Sequence, residues 1–144
     1  MGRIDFFFED VARIRVKQDF LRSVIRGIAE NENRETGPVN VVFCSDAYLL
    51  QINIDFLAHD YYTDIITFDN GTAQLIAGEL YISIDRIKEN SLLYGVSFRM
   101  ELARVVIHGI LHLAGYKDKS PGDKKKMKQK EDFYLRRFDV ETRY

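Results

Sequence analysis

The stretch "VVIHGILHLAGYKDK", Val105 to Lys119, contains two histidines in an otherwise apolar segment. His108 and His112 are four positions apart, so on a helix both side chains project from one face, with Cβ atoms about 5–6 Å apart. Two imidazoles in this arrangement can bind one metal ion, as in the His-Glu-x-x-His hydrolases. An alternative is that both are buried histidines hydrogen-bonded to backbone carbonyls. Gly109 replaces the glutamate that those peptidases use as general base, which argues against peptidase activity.

The residues that follow the pair favour metal binding. Gly115 can adopt the left-handed conformation that ends a helix, and three further residues span up to about 10 Å, enough to return Asp118 to the histidines. Two nitrogens and one carboxylate oxygen are an ordinary catalytic zinc set, with a fourth position open for water or substrate. We therefore predict that His108, His112 and Asp118 bind one Zn²⁺ per chain. The alternative for Asp118 is a solvated turn residue.

The segment 98–114, which carries the histidine pair, is apolar around nearly its whole circumference. Such a helix is enclosed by protein, so we predict a central buried helix. Around it, hydrophobic periodicity and turn signals predict the other elements. Strands are expected at 3–10, 39–45, 63–69 and 74–84, and helices at 16–33, 46–57, 85–95 and 121–138.

Two local signals refine this arrangement. Gly37-Pro38 predicts a turn before the second strand, and Asn70-Gly71 predicts a hairpin between the third and fourth strands. The resulting fold class is α+β: one domain over residues 1–144, with a four-stranded mixed sheet and about five helices.

Composition limits the class of protein. The 144 residues are 46% hydrophobic, which suffices for a sizeable core, and 21 basic against 22 acidic residues predict no general nucleic-acid coat. Cys44 is the single cysteine, which excludes an internal disulfide and fits a reducing compartment. The opening residues are too charged for a secretory signal, and no segment approaches the ~20 apolar residues of a membrane span. We expect a cytoplasmic protein that does not bind membranes.

The histidine stretch also resembles a known family. "HGILHLAGYKD", His108 to Asp118, agrees at nine of eleven positions, counting the two free ones, with the motif His-Gly-x-Leu-His-Leu-x-Gly-Tyr-Asp-His of the YbeY ribosomal RNA maturation endoribonucleases. Three further stretches are similar to family motifs in order and spacing, and the resemblance covers roughly residues 45–130. They are "IN" at Ile52-Asn53, "TDIITF" from Thr63 to Phe68, and "GELYIS" from Gly78 to Ser83.

The resemblance implies a zinc-dependent hydrolase, an endonuclease specific for single-stranded RNA that acts in ribosomal RNA processing and ribosome biogenesis. Its implied partners are ribosomal RNA, the small ribosomal subunit and its assembly proteins. Two departures matter: Asp118 occupies the position of the family's third metal-binding histidine, and Leu57 occupies that of an arginine important in the family. The loss of this arginine favours an alternative, a non-catalytic, metal-stabilised ribosome assembly or RNA-binding factor.

Candidate catalytic groups follow from zinc chemistry. A metal-bound water, with its pKa lowered to about 7, is the expected attacking group. Glu101, seven residues before His108 on the same helical face, is a candidate general base; its alternative is a surface or capping residue. Asp64 is a candidate acceptor for a hydrogen bond from a histidine.

A basic patch follows the histidine stretch. From Lys117 to Tyr144 there are ten Lys or Arg against six Asp or Glu, and such a patch can hold phosphates beside the metal. The alternative is a solvated helix face. Tyr61, Tyr62 and Tyr116 are candidates to stack on bases. The predicted RNA-binding residues are Lys117, Lys119, Lys124, Lys125 and Lys128.

Overall fold

The computed structural model describes residues 2–144, which form four strands and six helices around one mixed sheet. The elements are, in chain order, β1 (Ile4–Phe8), α1 (Gln18–Asn31), β2 (Glu35–Cys44), α2 (Asp46–Leu57), β3 (Ile65–Asp69), β4 (Leu75–Ser83), α3 (Ile84–Tyr94), α4 (Phe98–Leu113), α5 (Pro121–Arg137) and α6 (Val140–Arg143). The predicted α+β fold is confirmed. The additional sixth helix is α6, which has four residues.

The sheet has the strand order β1-β2-β4-β3. β2 lies between β1 and β4 and is parallel to both. Helix α1 returns the chain between β1 and β2, as a parallel pair requires. β3 pairs with β4 in the antiparallel direction, which confirms the predicted hairpin. Residues 70–74 form its connection, so the loop is longer than a two-residue turn.

The two faces of the sheet bury different sets of side chains. Leu80 and Ile82 of β4 face the main core with α1 and α4, whereas Tyr81 between them faces a smaller cluster that packs under α2. This alternation follows from the two-residue period of a strand. Cys44 lies fully buried in the smaller cluster, at the end of β2.

Helix α4 lies directly against the sheet, and the predicted central buried helix is confirmed. A Cβ atom placed on Gly109 would lie 2.7 Å from Cδ1 of Ile65 and 2.9 Å from Cδ2 of Leu80. Glycine therefore permits the close approach of helix and strands. Any larger side chain at this position would have to displace the side chains of Ile65 and Leu80.

One prediction about the second strand is wrong. Gly37 and Pro38 do not form a turn before it but lie inside β2, which begins at Glu35. The pairing of β2 with β4 shifts its register between Thr36 and Val39. Proline, which cannot donate to the sheet ladder, is tolerated at such an irregularity.

The chain reverses direction after α4 as predicted. Gly115 has a φ of +101°, and the amide of Tyr116 donates to the carbonyl of Leu111 at 3.0 Å. This is a left-handed helix ending, which directs residues 116–118 back along the helix. Ser120 then caps α5 by accepting from the amide of Asp123 at 3.0 Å. None of the helices within residues 2–144 is long and apolar enough to cross a membrane.

Candidate metal centre and substrate cleft

Three side chains converge where α4 meets the turn that follows it. Nε2 of His108 and Nε2 of His112 are 3.0 Å apart, and each lies 3.2 Å from Oδ2 of Asp118. Ligand atoms about 2.0–2.1 Å from a tetrahedral zinc ion lie about 3.3 Å from one another. The structure thus brings together the three residues singled out in the sequence, at a separation that a zinc ion needs with almost no movement.

The hydrogen bonds behind the histidines fix which ring nitrogens face the centre. Nδ1 of His108 lies 2.6 Å from Oε2 of Glu131, and Nδ1 of His112 lies 2.9 Å from the carbonyl oxygen of Tyr116. Both partners are acceptors, so Nδ1 of each ring donates to its partner, and Nε2 of each ring faces Asp118, where its lone pair can bind a metal ion. A cation between the two nitrogens and the carboxylate oxygen would stabilise this close approach. The donor set therefore fits a divalent metal ion.

Glu131 was not identified from the sequence, although it holds the first histidine. Only 7% of its surface is exposed, and its second oxygen accepts from Nη1 of Arg104 at 2.9 Å. Burial lowers the pKa of His108, but the hydrogen bond and charge of Glu131 outweigh it and raise the pKa overall. The sequence does contain an indication of this role. Glu131 is four residues after Met127 and three before Tyr134, so it is a charged residue on the otherwise apolar or aromatic buried face of α5.

Asp64 does not accept a hydrogen bond from either histidine of the centre, since Glu131 and the carbonyl of Tyr116 occupy both Nδ1 positions. It lines the cleft beside the histidines instead. Burial raises the pKa of Asp64, and the charge of His108 offsets part of that rise. The prediction that Asp64 orients a histidine is therefore wrong, because the acceptor comes from α5.

Glu101 is buried rather than a surface residue, with 4% of its surface exposed. Burial, followed by repulsion from Asp64, raises the pKa of Glu101 to about 6. Glu101 lines the same cavity as His108 and Asp118. It lies two turns before His108, about 10 Å along the helix axis. A catalytic role for Glu101 stays a prediction.

Two cavities meet at the three converging side chains, and both are lined by His108 and Asp118. The first, which we term the tyrosine cavity, has a volume of about 420 Å³. Its other walls include Asn53, Leu57, His59, Tyr61 and Lys119. The second, the lysine cavity, has a volume of about 600 Å³. Its other walls include Tyr94, Val96, Glu101, Lys124 and Lys128. Together the cavities form an open cleft with the candidate metal position at their junction.

The predicted RNA-binding lysines divide into two groups. Lys119 lines the tyrosine cavity, and Lys124 and Lys128 line the lysine cavity. Lys117 lines a separate small cavity, and Lys125 is exposed on α5 without lining the cleft.

The candidate stacking tyrosines also separate. Tyr61 faces the cleft and stacks on His59, with ring centroids 5.1 Å apart and an interplanar angle of 20°. The Tyr62 ring lies under the guanidinium of Arg86. The Tyr116 hydroxyl donates to Glu32, outside the two cavities. We term residues 115–118, which lead from α4 to Asp118, the ligand turn. Tyr61 is thus the one of these three that lines the tyrosine or lysine cavity described above.

Comparison with known proteins agrees with this geometry. The model of the family described as Endoribonuclease YbeY matches residues 8–139. The chain belongs to this endoribonuclease family. An Endoribonuclease YbeY of Cytophaga hutchinsonii is 48% identical over 132 residues, covering 90% of this chain and 92% of the relative. One of Christiangramia forsetii is 43% identical over 140 residues, covering 97% of both chains.

A solved structure of similar fold extends the comparison to coordinates. The solution structure of a Thermotoga maritima protein superposes with a TM-score of 0.64 at 26% identity, covering 97% of this chain and 94% of that one. The family and the fold expected from the resemblance are therefore confirmed. Leu57, five residues after Ile52, lines the tyrosine cavity, so the position where the resemblance expects an arginine faces the cleft.

Proposed function

We propose that the protein is a zinc-dependent endoribonuclease that cleaves single-stranded RNA during ribosomal RNA processing and ribosome maturation. Its partners are then ribosomal RNA, the small ribosomal subunit and its assembly proteins, and its location is the cytoplasm. Membership of an endoribonuclease family supports the reaction class. The observation that carries the proposal is the convergence of His108, His112 and Asp118, whose Nε2, Nε2 and Oδ2 atoms lie 3.0–3.2 Å apart.

The metal site consists of His108, His112 and Asp118, with one zinc ion per chain. When bound, zinc lowers the pKa of a coordinated water to about 7 and neutralises charge on a phosphoryl oxygen. Glu131 and the carbonyl of Tyr116 hold the two imidazoles in the correct tautomer. Asp118 adds an oxygen ligand with a negative charge, which makes this site harder than one of three histidines.

Glu101 is our candidate for the group that exchanges protons during the reaction. A carboxyl whose pKa is about 6 gains and loses a proton near neutral pH, as general acid-base catalysis requires. Glu101 lines the cavity that contains His108 and Asp118, so it faces a substrate that is bound there.

The cleft suits one RNA strand better than a duplex. Lys119, Lys124 and Lys128 place positive charge on both sides of the metal position, where phosphates approach. Tyr61, stacked on His59, presents an exposed ring to the tyrosine cavity. Bases stack on such rings only when they are not paired and stacked in a helix.

Cleavage and metal binding are tested together on untagged protein loaded with zinc. We expect it to cleave a labelled single-stranded RNA from the ribosomal sequence and to leave the matched duplex intact. His112→Ala is expected to lose both bound zinc and cleavage, while Lys125→Ala, which alters an exposed lysine outside the cleft, retains both. Full cleavage by His112→Ala would refute the proposed catalytic centre.

One observation favours a second candidate function, a non-catalytic, metal-stabilised ribosome assembly or RNA-binding factor. The wall of the tyrosine cavity carries the apolar Leu57 where the family resemblance expects an arginine. This function predicts that the zinc-loaded protein binds RNA without forming cleavage products. Cleavage by the wild-type protein separates the two functions. If the wild type does not cleave, Leu57→Arg tests the reason, because this variant gains cleavage when the arginine is the one group that the centre lacks.

A further inference from the structure

The lysine cavity is a second binding space that begins at the candidate metal ligands. It shares His108 and Asp118 with the tyrosine cavity. An RNA strand whose scissile phosphate lies at the metal position therefore has space on either side for its neighbouring nucleotides. We propose that the lysine cavity is a nucleotide subsite in which Tyr94 stacks on the base and Lys124 and Lys128 bind the phosphate. This inference rests on the proposed function.

The wall of this cavity is aromatic and exposed. Tyr94 is the last residue of α3 and is 61% exposed, although it adjoins the cavity, and Val96 beside it is also exposed. Gly95 between them has a φ of +67°, which ends the helix and turns the chain at this wall. An open ring next to a basic groove is the usual platform for a base in single-stranded nucleic acid.

Helix α5 supplies positive charge to the same cavity. Lys124 and Lys128 are one helical turn apart on α5, so their side chains project from the same face. Within residues 2–144 neither lysine forms an ion pair. The carboxylate of Glu131 below them is already paired with Arg104 and hydrogen-bonded to His108. The two lysines are thus available to a phosphate.

The test is the affinity of the zinc-loaded protein for a fluorescent single-stranded RNA octamer with hydrolysis-resistant phosphorothioate linkages. Tyr94→Ala is expected to weaken binding about tenfold, the effect of losing one stacked base. Leu93→Ala is the matched control, because Leu93 is 73% exposed next to Tyr94 but does not line the cavity. We expect it to retain the wild-type affinity.

Charge reversal on α5 gives the second arm of the test. Lys124→Glu and Lys128→Glu are expected to weaken binding more than Lys125→Glu, which changes the net charge equally outside the cleft. Equal effects of Tyr94→Ala and Leu93→Ala would overturn the subsite while leaving the nuclease proposal intact. A wild-type protein that binds no RNA would overturn both.

A separate observation concerns Glu32, which follows α1 and contacts the ligand turn through Tyr116. Its Oε1 accepts from the hydroxyl of Tyr116 at 2.7 Å, and its Oε2 accepts from the hydroxyl of Tyr134 and lies 3.3 Å from Nζ of Lys130. Burial alone raises the pKa of Glu32, but these hydrogen bonds and the lysine charge outweigh it and lower the pKa overall. The carboxylate is therefore ionised and fully engaged.

Tyr116 connects this carboxylate to the metal centre. Tyr116 lies two residues before Asp118. Its hydroxyl donates to Glu32, and its carbonyl oxygen accepts from Nδ1 of His112 at 2.9 Å. We infer that Glu32 is a positioning residue for the metal ligands, acting through Tyr116 on the orientation of His112. The inference concerns metal binding alone and does not depend on nuclease activity.

Two tyrosine variants test this role, because both hydroxyls donate to Glu32 but only Tyr116 belongs to the ligand turn. Zinc affinity is measured by titration against a competing chelator, beside the melting temperature. Tyr116→Phe is expected to weaken zinc binding roughly threefold to tenfold, less than the loss of a direct partner of a ligand. Tyr134→Phe is expected to lower the melting temperature and leave zinc affinity within twofold. Equal changes in zinc affinity would show that Glu32 only stabilises the fold.

Discussion

Replacing Glu131 with glutamine tests whether the hydrogen bond between Glu131 and His108 orients this histidine for metal binding. The wild-type carboxylate accepts from Nδ1 of His108 at 2.6 Å and from Nη1 of Arg104 at 2.9 Å, one donor on each oxygen. Glutamine has the same size but one carbonyl oxygen, so its amide nitrogen must face one of the two donors. Either His108 or Arg104 then loses its acceptor.

The size of the effect follows from the burial of this contact. Loss of a carboxylate behind a metal-bound histidine weakens metal affinity about 10- to 100-fold, or about 1.4–2.7 kcal/mol. Because Glu131 is 7% exposed, the unfolding free energy also falls by about 1.5–3 kcal/mol, the contribution of a hydrogen bond to a charged group. Arg104 keeps Asp132 as a partner at 2.7 Å, which limits the loss.

Competition with a chelator measures the zinc affinity of Glu131→Gln directly. Asp132→Asn is the matched control, since Asp132 lies next to Glu131, contacts the same Arg104 and does not contact a histidine. We expect the control to bind zinc within twofold of the wild type. Unchanged zinc affinity in Glu131→Gln would refute the reasoning that Glu131 orients His108 for the metal.

Three further predictions concern stability. The pKa of Glu101 is raised from 4.5 to about 6, so the folded state binds a proton more tightly than the unfolded state. The unfolding free energy of the wild type therefore falls by up to about 2 kcal/mol as pH rises from about 4.5 to above 6. Glu101→Gln should have a higher urea midpoint than the wild type at pH 8 and lose that advantage near pH 4.5. Gly109→Ala places a Cβ 2.7 Å from Cδ1 of Ile65, and the overpacking cost of about 1–3 kcal/mol should outweigh the gain of up to about 1 kcal/mol in helix propensity, so the urea midpoint should fall. A raised midpoint would contradict the close packing of α4. Chelation of the metal should lower the melting temperature and added zinc should restore it, because a ligand at 100 times its Kd stabilises by about 2.7 kcal/mol.

The sequence was sufficient for the three converging side chains because the rules that place them are local. Helical spacing puts His108 and His112 on one face, and the left-handed conformation of Gly115 returns Asp118 to them. These local rules could not predict the contact of Glu131 with His108. Glu131 reaches His108 from α5, 23 residues along the chain, and its position depends on how α5 packs against α4.

The same difference between local and tertiary information explains why the predicted turn at Gly37-Pro38 was wrong. Gly37-Pro38 is a turn signal by local preference, but the pairing of Glu35 and Thr36 with β4 extends the strand through both residues. Strand order is likewise a tertiary property: the position of β4 between β2 and β3 follows from packing that no local pattern specifies.

The most direct test of the account is an anomalous difference map from a crystal of the untagged protein grown with zinc. We predict one strong zinc peak per chain, about 2 Å from Nε2 of His108, Nε2 of His112 and an oxygen of Asp118. Absence of a peak at the point these three atoms share, or a peak held by other residues, would contradict the proposed metal centre and the zinc-dependent hydrolysis that rests on it.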